Sequence, residues 1–406
     1  MKKKTTILIL LFSLPLILAA QFNQPQIRSH IKILASDSLQ GRGTGTEGER
    51  MAASYVESQF KKLKLRPMGT NGSFYQEFPF RGGAHGEGEP GTARNVIAFL
   101  DNKAPYTIII GAHYDHLGLG MQGGSLDANP KDKIHNGADD NASGTAGALE
   151  LARYLATNRK KEKHNFLFIL FSGEEMGLLG SKYFTEHPTY DLAKVNFMIN
   201  MDMIGRLNPE TKTVVVNGTG TSPVWEPLLQ SLATEQLKIK TDSSGIGPSD
   251  HTSFYLKNIP VLHFFTGSHG DYHKPSDDWD KINYEGAVAV LNLIRQVIEA
   301  LDAQPKLQFL KTKSNAMAVR SPFKVTLGVM PSYSSSEPGL KVDGVTEGRP
   351  AQKAGIQAGD LIIQLGPYEI KDVQSYMEAL GKFEKGQKAE VKVKRGGEVI
   401  SLTVEF

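Results

Sequence analysis

The 406 residues include no cysteine. Disulfides and thiolate metal ligands are therefore excluded, and any bound metal has to be held by histidine, aspartate and glutamate. That ligand set suits zinc, manganese or cobalt. An excess of charge is missing as well. Lysine and arginine number 46 against 43 acids, and loss of Lys2, Lys3 and Lys4 with a leader would bring the basic residues down to 43. A balance of that kind favours neither nucleic acid nor an anionic membrane surface as a partner. The amino terminus is the exception to an otherwise ordinary composition. There the three lysines precede an apolar run from Ile7 to Ala20 that ends in small residues, the layout of a secretory signal peptide. It is short for a membrane span and carries Pro15. Residues 1–20 are expected to be cleaved, giving a secreted or periplasmic protein with no stable membrane insertion.

What is present is organised around Asn165 to Gly180, NFLFILFSGEEMGLLG. A wholly apolar run with aromatic content reads as a buried strand, and it stops at Ser172-Gly173, directly before Glu174 and Glu175. In an open α/β sheet the ligand crevice lies beyond the carboxyl ends of the strands. Adjacent acids on a bend diverge, so one can bind a cation while the other handles a proton.

Along the chain, Ile27 to Leu34 and Gly48 to Leu65 have helical apolar spacing, with Thr46 as N-cap and Glu49 placed to complete a capping box. Between them, Gly41-Arg-Gly-Thr-Gly-Thr-Glu-Gly48 lacks the Gly-Lys-Ser/Thr ending of a phosphate loop and follows no strand, so it reads as a flexible connection. Arg81 to Gly91 is a second Gly-rich loop. Asn95 to Leu100 and Tyr106 to Gly111 read as strands around a turn at 101–105. The second runs into His113-Tyr-Asp115-His116. In extended chain His113 and Asp115 share a face, which lets the carboxylate orient the imidazole. Gly137 to Gly144, with Asp139 and Asp140, leads into a helix from Thr145 to Leu155. A strand from Phe166 to Phe171 delivers Glu174 and Glu175, and a helix resumes from Met176 to Phe184. The strand Val195 to Met201 ends in Asp202. Val214 to Val216 and Ile259 to Phe265 are further strands. The last leads to a loop with His269 and His273, either of which could face a metal, and Tyr284 to Leu301 closes the domain as a helix. Strands alternating with helices indicate a mostly parallel central sheet flanked by helices. Acid or histidine at several ends of one sheet points to a metal site.

The ordered set HYDHLG, GADDNASG, FSGEEMGLLGS, NMDMIG and DYHKPSD resembles the secreted co-catalytic zinc aminopeptidases, the bacterial leucine aminopeptidase and aminopeptidase Y type, over about Gln26 to Leu301. The resemblance implies the zinc exopeptidase fold and two zinc ions. It assigns His113, Asp140 and Asp202 to one ion and Asp140, Glu175 and His273 to the other, with Asp140 as the bridge. It makes Glu174 the general base and Asp115 the orienter of His113. It also favours His273 over His269, because the family places its ligand before the Pro-Ser-Asp turn. Two metals sharing a carboxylate can acidify a water and leave a Lewis acid for the scissile carbonyl of a peptide with a free amino terminus. His251, in Ser249-Asp250-His251, is a candidate for steadying the oxyanion. The protease-associated insert common in the family has no room in Pro67 to Arg94. Competing implications are a glutaminyl cyclase-like or carboxypeptidase-like relative, the latter with Arg206 on a substrate carboxylate, or a binding protein with an inactive peptidase domain.

The catalytic unit is thus expected over 21–302. Residues 303–320, without periodicity and with Pro305, read as a linker. From 321 to 406 the chain resembles a bacterial PDZ domain, a small β-rich fold, through Leu327-Gly-Val329 and LKVDGVTEGRPAQKAGIQAGDLIIQLG. Such domains add an extended peptide to a sheet edge and hold its carboxylate on backbone N–H groups. Thr326 to Val329 is the expected holding segment, for the carboxyl termini of peptides or proteins.

Overall fold

The computed structural model describes residues 22–81, 89–122, 124–125, 127, 129–267, 269–312, 325–331, 337–345, 348–371 and 373–406, and the expected leader falls outside them. Helices α1 (Gln24–Leu34) and α2 (Glu47–Lys62) come first. Thr46 caps α2 by accepting from the Glu49 N–H. The expected capping box does not close, because Glu49 is buried and its carboxylate is used elsewhere. One oxygen accepts from the Gly45 N–H at 2.9 Å and the other from the Tyr114 hydroxyl at 2.7 Å.

Strands β1 (Arg66–Pro67), β2 (Tyr75–Arg81), β3 (Pro90–Leu100) and β4 (Tyr106–His113) follow, then helix α3 (Gly144–Thr157). Next come β5 (His164–Phe171), α4 (Leu179–Glu186), β6 (Val195–Met201) and β7 (Thr213–Asn217). The domain ends with α5 (Trp225–Leu232), β8 (Lys238–Asp242), α6 (His251–Tyr255), β9 (Val261–Phe265) and α7 (Tyr284–Leu301). Among the described residues nine strands form one sheet in the order β1-β3-β5-β4-β6-β9-β7-β8, with β2 on β3. Its centre, β5-β4-β6-β9, is parallel, and antiparallel joins at β3–β5 and β7–β9 make the flanks mixed. The parallel centre is what places the ends of β4, β5, β6 and β9 along one edge.

The all-apolar run of β5 is explained by burial on both faces. Phe166, Phe168 and Leu170 join the core with residues of α1, α2, α3 and α7, while Leu167, Ile169 and Phe171 join Phe184 of α4 and Phe254 of α6. Three strands of this sheet, β1, β2 and β8, escaped the sequence reading. All are peripheral in the sheet, and β2 tolerates Pro79 because its pairing is to β3 alone among the described strands. The helix expected from Met176 starts only at Leu179. Gly173, Gly177 and Leu178 have φ of 68°, 99° and 62°, so Glu174 and Glu175 sit on a turn.

Part of the segment expected as linker is held against the domain before it. Residues 306–312 lie along the α/β domain: Leu307 N–H donates to Asn196 (2.7 Å), Leu310 N–H to the Thr221 carbonyl (2.8 Å), and Phe309 packs on Tyr255. Residues 313–320 lie outside the described residues.

A separate six-stranded sheet follows among the described residues. It comprises β10 (Val329–Pro331), β11 (Leu340–Val345), β12 (Leu361–Leu365), β13 (Tyr368–Glu369), β14 (Lys388–Arg395) and β15 (Glu398–Glu405), with helices α8 (Pro350–Ala354) and α9 (Val373–Leu380). Its own core includes Leu340, Val342, Ile362, Leu365, Val391 and Val393. The turns need their glycines: Gly355 caps α8 at φ 87° and Gly359 precedes β12 at φ 92°.

Thr312 donates to the Tyr255 hydroxyl through both its N–H and its hydroxyl, each at 3.1 Å. Tyr255→Phe removes that acceptor, and a buried N–H left unmade costs about 1–2 kcal/mol. Amide exchange at Thr312 is expected to accelerate accordingly, and an unchanged rate would show that the strap is held by its apolar contacts instead.

Candidate metal centre

His113 is the last residue of β4, and its carbonyl accepts from the Thr145 hydroxyl at 2.7 Å. Its Nε2 stands 3.4 Å from Asp140 Oδ1, 3.3 Å from Asp202 Oδ1 and 4.0 Å from Glu174 Oε2. His273 Nε2 stands 3.1 Å from Asp140 Oδ2 and 3.2 Å from Glu175 Oε2. The structure therefore gathers all five candidate ligands, and the two oxygens of Asp140 face different imidazoles. Donors about 2.0–2.1 Å from one tetrahedral zinc are about 3.3–3.4 Å from each other, so this nitrogen and oxygen set fits zinc. Both triads, His113-Asp140-Asp202 and His116-Asp140-Glu175, have their donor atoms within 4.8 Å of one another.

Asp140 is set by the backbone before it. Asp277 Oδ2 accepts from the N–H groups of Asp139 and Asp140 at 2.9 and 3.1 Å. Asp140 sits in the segment that leads into α3, where its backbone is non-helical (φ −108°, ψ 92°). Asp115 has a different geometry from the expected one. His113 Nδ1 is 3.2 Å from the Asp115 carbonyl and 3.6 Å from its carboxylate. That carboxylate instead accepts from the Glu174 N–H at 3.2 Å and the Thr44 hydroxyl at 2.9 Å, tying the end of β4 to the acidic turn.

His269 lies beside the centre, 3.2 Å from Asp139 Oδ2. His273 has its other ring nitrogen 2.7 Å from the Gly124 carbonyl, the backing commonly given to a metal-ligating imidazole. His251 stacks on His263 with centroids 4.5 Å apart, and neither of its ring nitrogens has a hydrogen-bond partner among the described residues. Burial, with His263 beside it, holds His251 well below the usual histidine range. Arg206 is engaged with Asp271 at 3.1 Å and lies 3.9 Å from Asp277. Its charge is thus committed to protein carboxylates.

Two residues join the centre that the sequence reading left out. His116 Nδ1 is 2.6 Å from Glu175 Oε1, leaving Oε2 for a cation. The pattern His-x-Asp-His was the available signal, but strand alternation would put His116 on the opposite face, and β4 ends at His113, so that alternation does not extend to His116. Tyr272 stacks on His273 with centroids 3.8 Å apart. Burial and the carboxylates of Asp140, Glu175, Glu174 and Asp202 keep its hydroxyl protonated far above its usual range, a neutral donor inside an acidic site.

Charge is sharply partitioned. Burial opposes charge on His113, His273, Asp140, Glu175 and Glu174, yet Asp202 and Glu174 hold His113 well above its usual range, and Glu175 and Asp140 push His273 up to about 11. Asp140 is held well below the carboxylate range by His113 and His273 against burial. Glu175 comes down to about 2 despite burial and Asp140, through His273 and His116. Glu174 goes the other way, raised well above its range by burial, with Asp202, Glu175 and Asp250 adding to it.

The profile described as Peptidase family M28 matches residues 95–298, about half of the chain, and that described as PDZ domain matches 325–406. Aminopeptidase YwaD of Bacillus subtilis is 29% identical over 243 residues, covering 56% of this chain and 49% of that protein. Leucine aminopeptidase 2 of Trichophyton rubrum is 30% identical over 188 residues, 43% of this chain and 36% of that one. The chain thus spans half or less of the length of these curated relatives. Among solved structures, a leucine aminopeptidase precursor from Bacteroides thetaiotaomicron superposes with a TM-score of 0.57 at 18% identity, covering 69% of this chain and 98% of that one. Glutaminyl cyclase from the same organism superposes with a TM-score of 0.57 at 19% identity and the same coverage. At these identities the two structures share the fold.

In the metal-free protein at pH 7 the raised His113 and His273 carry protons that a ligand nitrogen has to lose. Zinc uptake is therefore expected to release protons and to strengthen as pH rises. Calorimetric titration in buffers of different ionisation enthalpy measures this, and heats independent of the buffer would contradict it.

Proposed function

Because this chain belongs to peptidase family M28, we propose that it is an exported zinc-dependent aminopeptidase that removes amino-terminal residues from peptides. The observation that carries the reading is the placement of the two Asp140 oxygens, one facing His113 and the other His273, with Glu174 alongside. His113, Asp140 and Asp202 would hold one zinc ion and Asp140, Glu175 and His273 a second, with His116 steadying Glu175. Bound there, zinc supplies Lewis acidity for a carbonyl oxygen and acidity for a water.

The chain's own residues do the rest. Glu174 takes a proton from the attacking water on its carboxylate and returns it to the leaving amine nitrogen as the scissile bond breaks. Its N–H bond to Asp115 fixes the turn from which it reaches. The Tyr272 hydroxyl is a donor for the oxygen on which negative charge develops. The surplus of carboxylates suits a protonated substrate amino group, while the commitment of Arg206 to Asp271 leaves it poorly disposed to take a substrate carboxylate, which favours amino-terminal over carboxy-terminal cleavage.

The leader-like residues 1–20 support export to the periplasm or the medium. The PDZ unit supports capture of a substrate's or partner's carboxyl terminus at Thr326 to Val329, where the Thr326 hydroxyl accepts from the Gly328 N–H at 3.1 Å.

Hydrolysis of leucyl-anilide by the purified protein, beside its N-acetylated counterpart and with or without a zinc chelator, tests the reading. Cleavage of the free-amine substrate alone, lost with chelator and restored by zinc, is expected, with two zinc ions per chain by elemental analysis. Glu174→Gln should keep the metal and lower kcat by roughly 10²–10⁴-fold. One zinc per chain together with cyclisation of amino-terminal glutamine would move the assignment to a glutaminyl cyclase-like enzyme.

A further inference from the structure

Gly41-Arg-Gly-Thr-Gly-Thr-Glu-Gly48 is the motif that the proposed reaction leaves unused, and the structure corrects its reading as a flexible connection. Gln40, Gly41 and Arg42 have φ of 47°, 68° and 50°, a left-handed run that folds the segment inward. A Cβ on Gly41 would come within 2.5 Å of the His135 carbonyl oxygen and 2.6 Å of that of Gly118, so the turn is closed on its surroundings. The Gly118 N–H donates to the Gly41 carbonyl and the His116 N–H to that of Arg42, at 3.0 and 3.2 Å.

Arg42 is fully buried, and its described hydrogen bonds all end on main-chain carbonyls. Nε donates to Tyr114 at 2.7 Å, Nη1 to Asn136 at 2.7 Å and to Leu34, and Nη2 to Gly137 at 3.0 Å. Tyr114 lies between His113 and Asp115, whereas Asn136 and Gly137 end the loop that delivers Asp139 and Asp140. One planar fork therefore spans the two loops that bring His113 and Asp140 together. Burial draws the guanidinium down to about 10, and Asp115, Asp140, Asp277 and Glu175 are the charges that favour its protonated form. Two residues on, Thr44 donates to Asp115 Oδ2 at 2.9 Å, and Asp115 Oδ1 accepts the Glu174 N–H at 3.2 Å.

We propose that the Gly41–Thr46 turn is a positioning device for the metal centre, in which Arg42 sets the spacing of the His113 and Asp140 loops and Thr44, through Asp115, sets Glu174. The inference rests on the metallopeptidase reading. Lysine cannot replace Arg42, because a single ammonium cannot serve carbonyls that lie around a flat fork. The two arms separate experimentally. Arg42 acts on ligand geometry and hence on metal affinity, whereas Thr44 acts on the base and hence on turnover.

The test compares wild type, Arg42→Lys and Thr44→Val by zinc affinity in chelator competition, by kcat and KM at saturating zinc, and by circular dichroism. Arg42→Lys is expected to bind zinc roughly 10–100-fold more weakly, the range for partners that back metal ligands. Thr44→Val is expected to keep wild-type zinc affinity and KM and to lose about tenfold in kcat. A folded Arg42→Lys with wild-type affinity overturns the inference, as does Thr44→Val with wild-type kcat. Where Arg42→Lys does not fold, Thr44→Val decides alone. A wild-type protein that takes up no divalent metal overturns the metallopeptidase reading and this inference with it, whereas wild-type zinc uptake with indifferent variants overturns this inference only.

Discussion

Carboxylates buried within a few ångströms of one another repel, and a protein that assembles them has to supply positive charge or directed N–H groups to hold them. Asp115, Asp139, Asp140, Glu174, Glu175 and Asp277 are all drawn to one edge of the sheet. Around them stand His113, His116, His273 and Arg42, with the backbone N–H groups of Asp139, Asp140, Glu174 and Gly205 donated to acidic side chains. The parallel centre of the sheet exists, in functional terms, to bring four strand ends to this edge. The turns beyond those ends are also bound to one another and to neighbouring strand ends. Asp277 holds the Asp140 turn, Asp115 holds the Glu174 turn, and Asn141 bonds to the Met201 carbonyl next to Asp202.

The parts of this arrangement that were legible in the sequence are those with a period or a terminus. β6 and α7 begin and end where their apolar patterns do, because burial on both faces of a strand or along one stripe of a helix leaves a readable signature. His113, Glu174, Glu175 and Asp202 stood out because polar side chains that end apolar runs are few, whereas Asp140 and the preference for His273 over His269 rested on the family resemblance. Arg42 left no such trace. Its partners are main-chain carbonyls at Leu34, Tyr114, Asn136 and Gly137, and a carbonyl has no sequence identity. The same holds for the strap at 306–312, whose bonds to Asn196, Thr221 and Tyr255 follow no repeat. His116 and Tyr272 were hidden differently, since His116 lies beyond the end of β4, where strand alternation no longer applies, and Tyr272 sits in a turn without a period.

Glycine in the Gly41–Thr46 turn illustrates how composition misleads when read for mobility alone. A cluster of small residues is as necessary for a backbone pressed against another as for one that is free. At Gly41 the neighbouring carbonyl oxygens leave no room for a Cβ, and the positive φ turns Arg42 beneath the site. Freedom from side chains is what permits close approach here, and the buried guanidinium then converts that approach into fixed spacing.

The candidate ligands come from positions as far apart as 113 and 273, on segments joined otherwise by the sheet and by the bonds between their turns. A cation shared among them would close long loops that the unfolded chain leaves open, so its binding energy adds to the stability of the native state. Without it, the carboxylates raise His113 and His273 towards their protonated forms. Protons can offset the carboxylates but cannot tie three donors to one point. A metal can do both, and a ligand set distributed across the domain makes occupancy of the centre and integrity of the fold parts of one equilibrium.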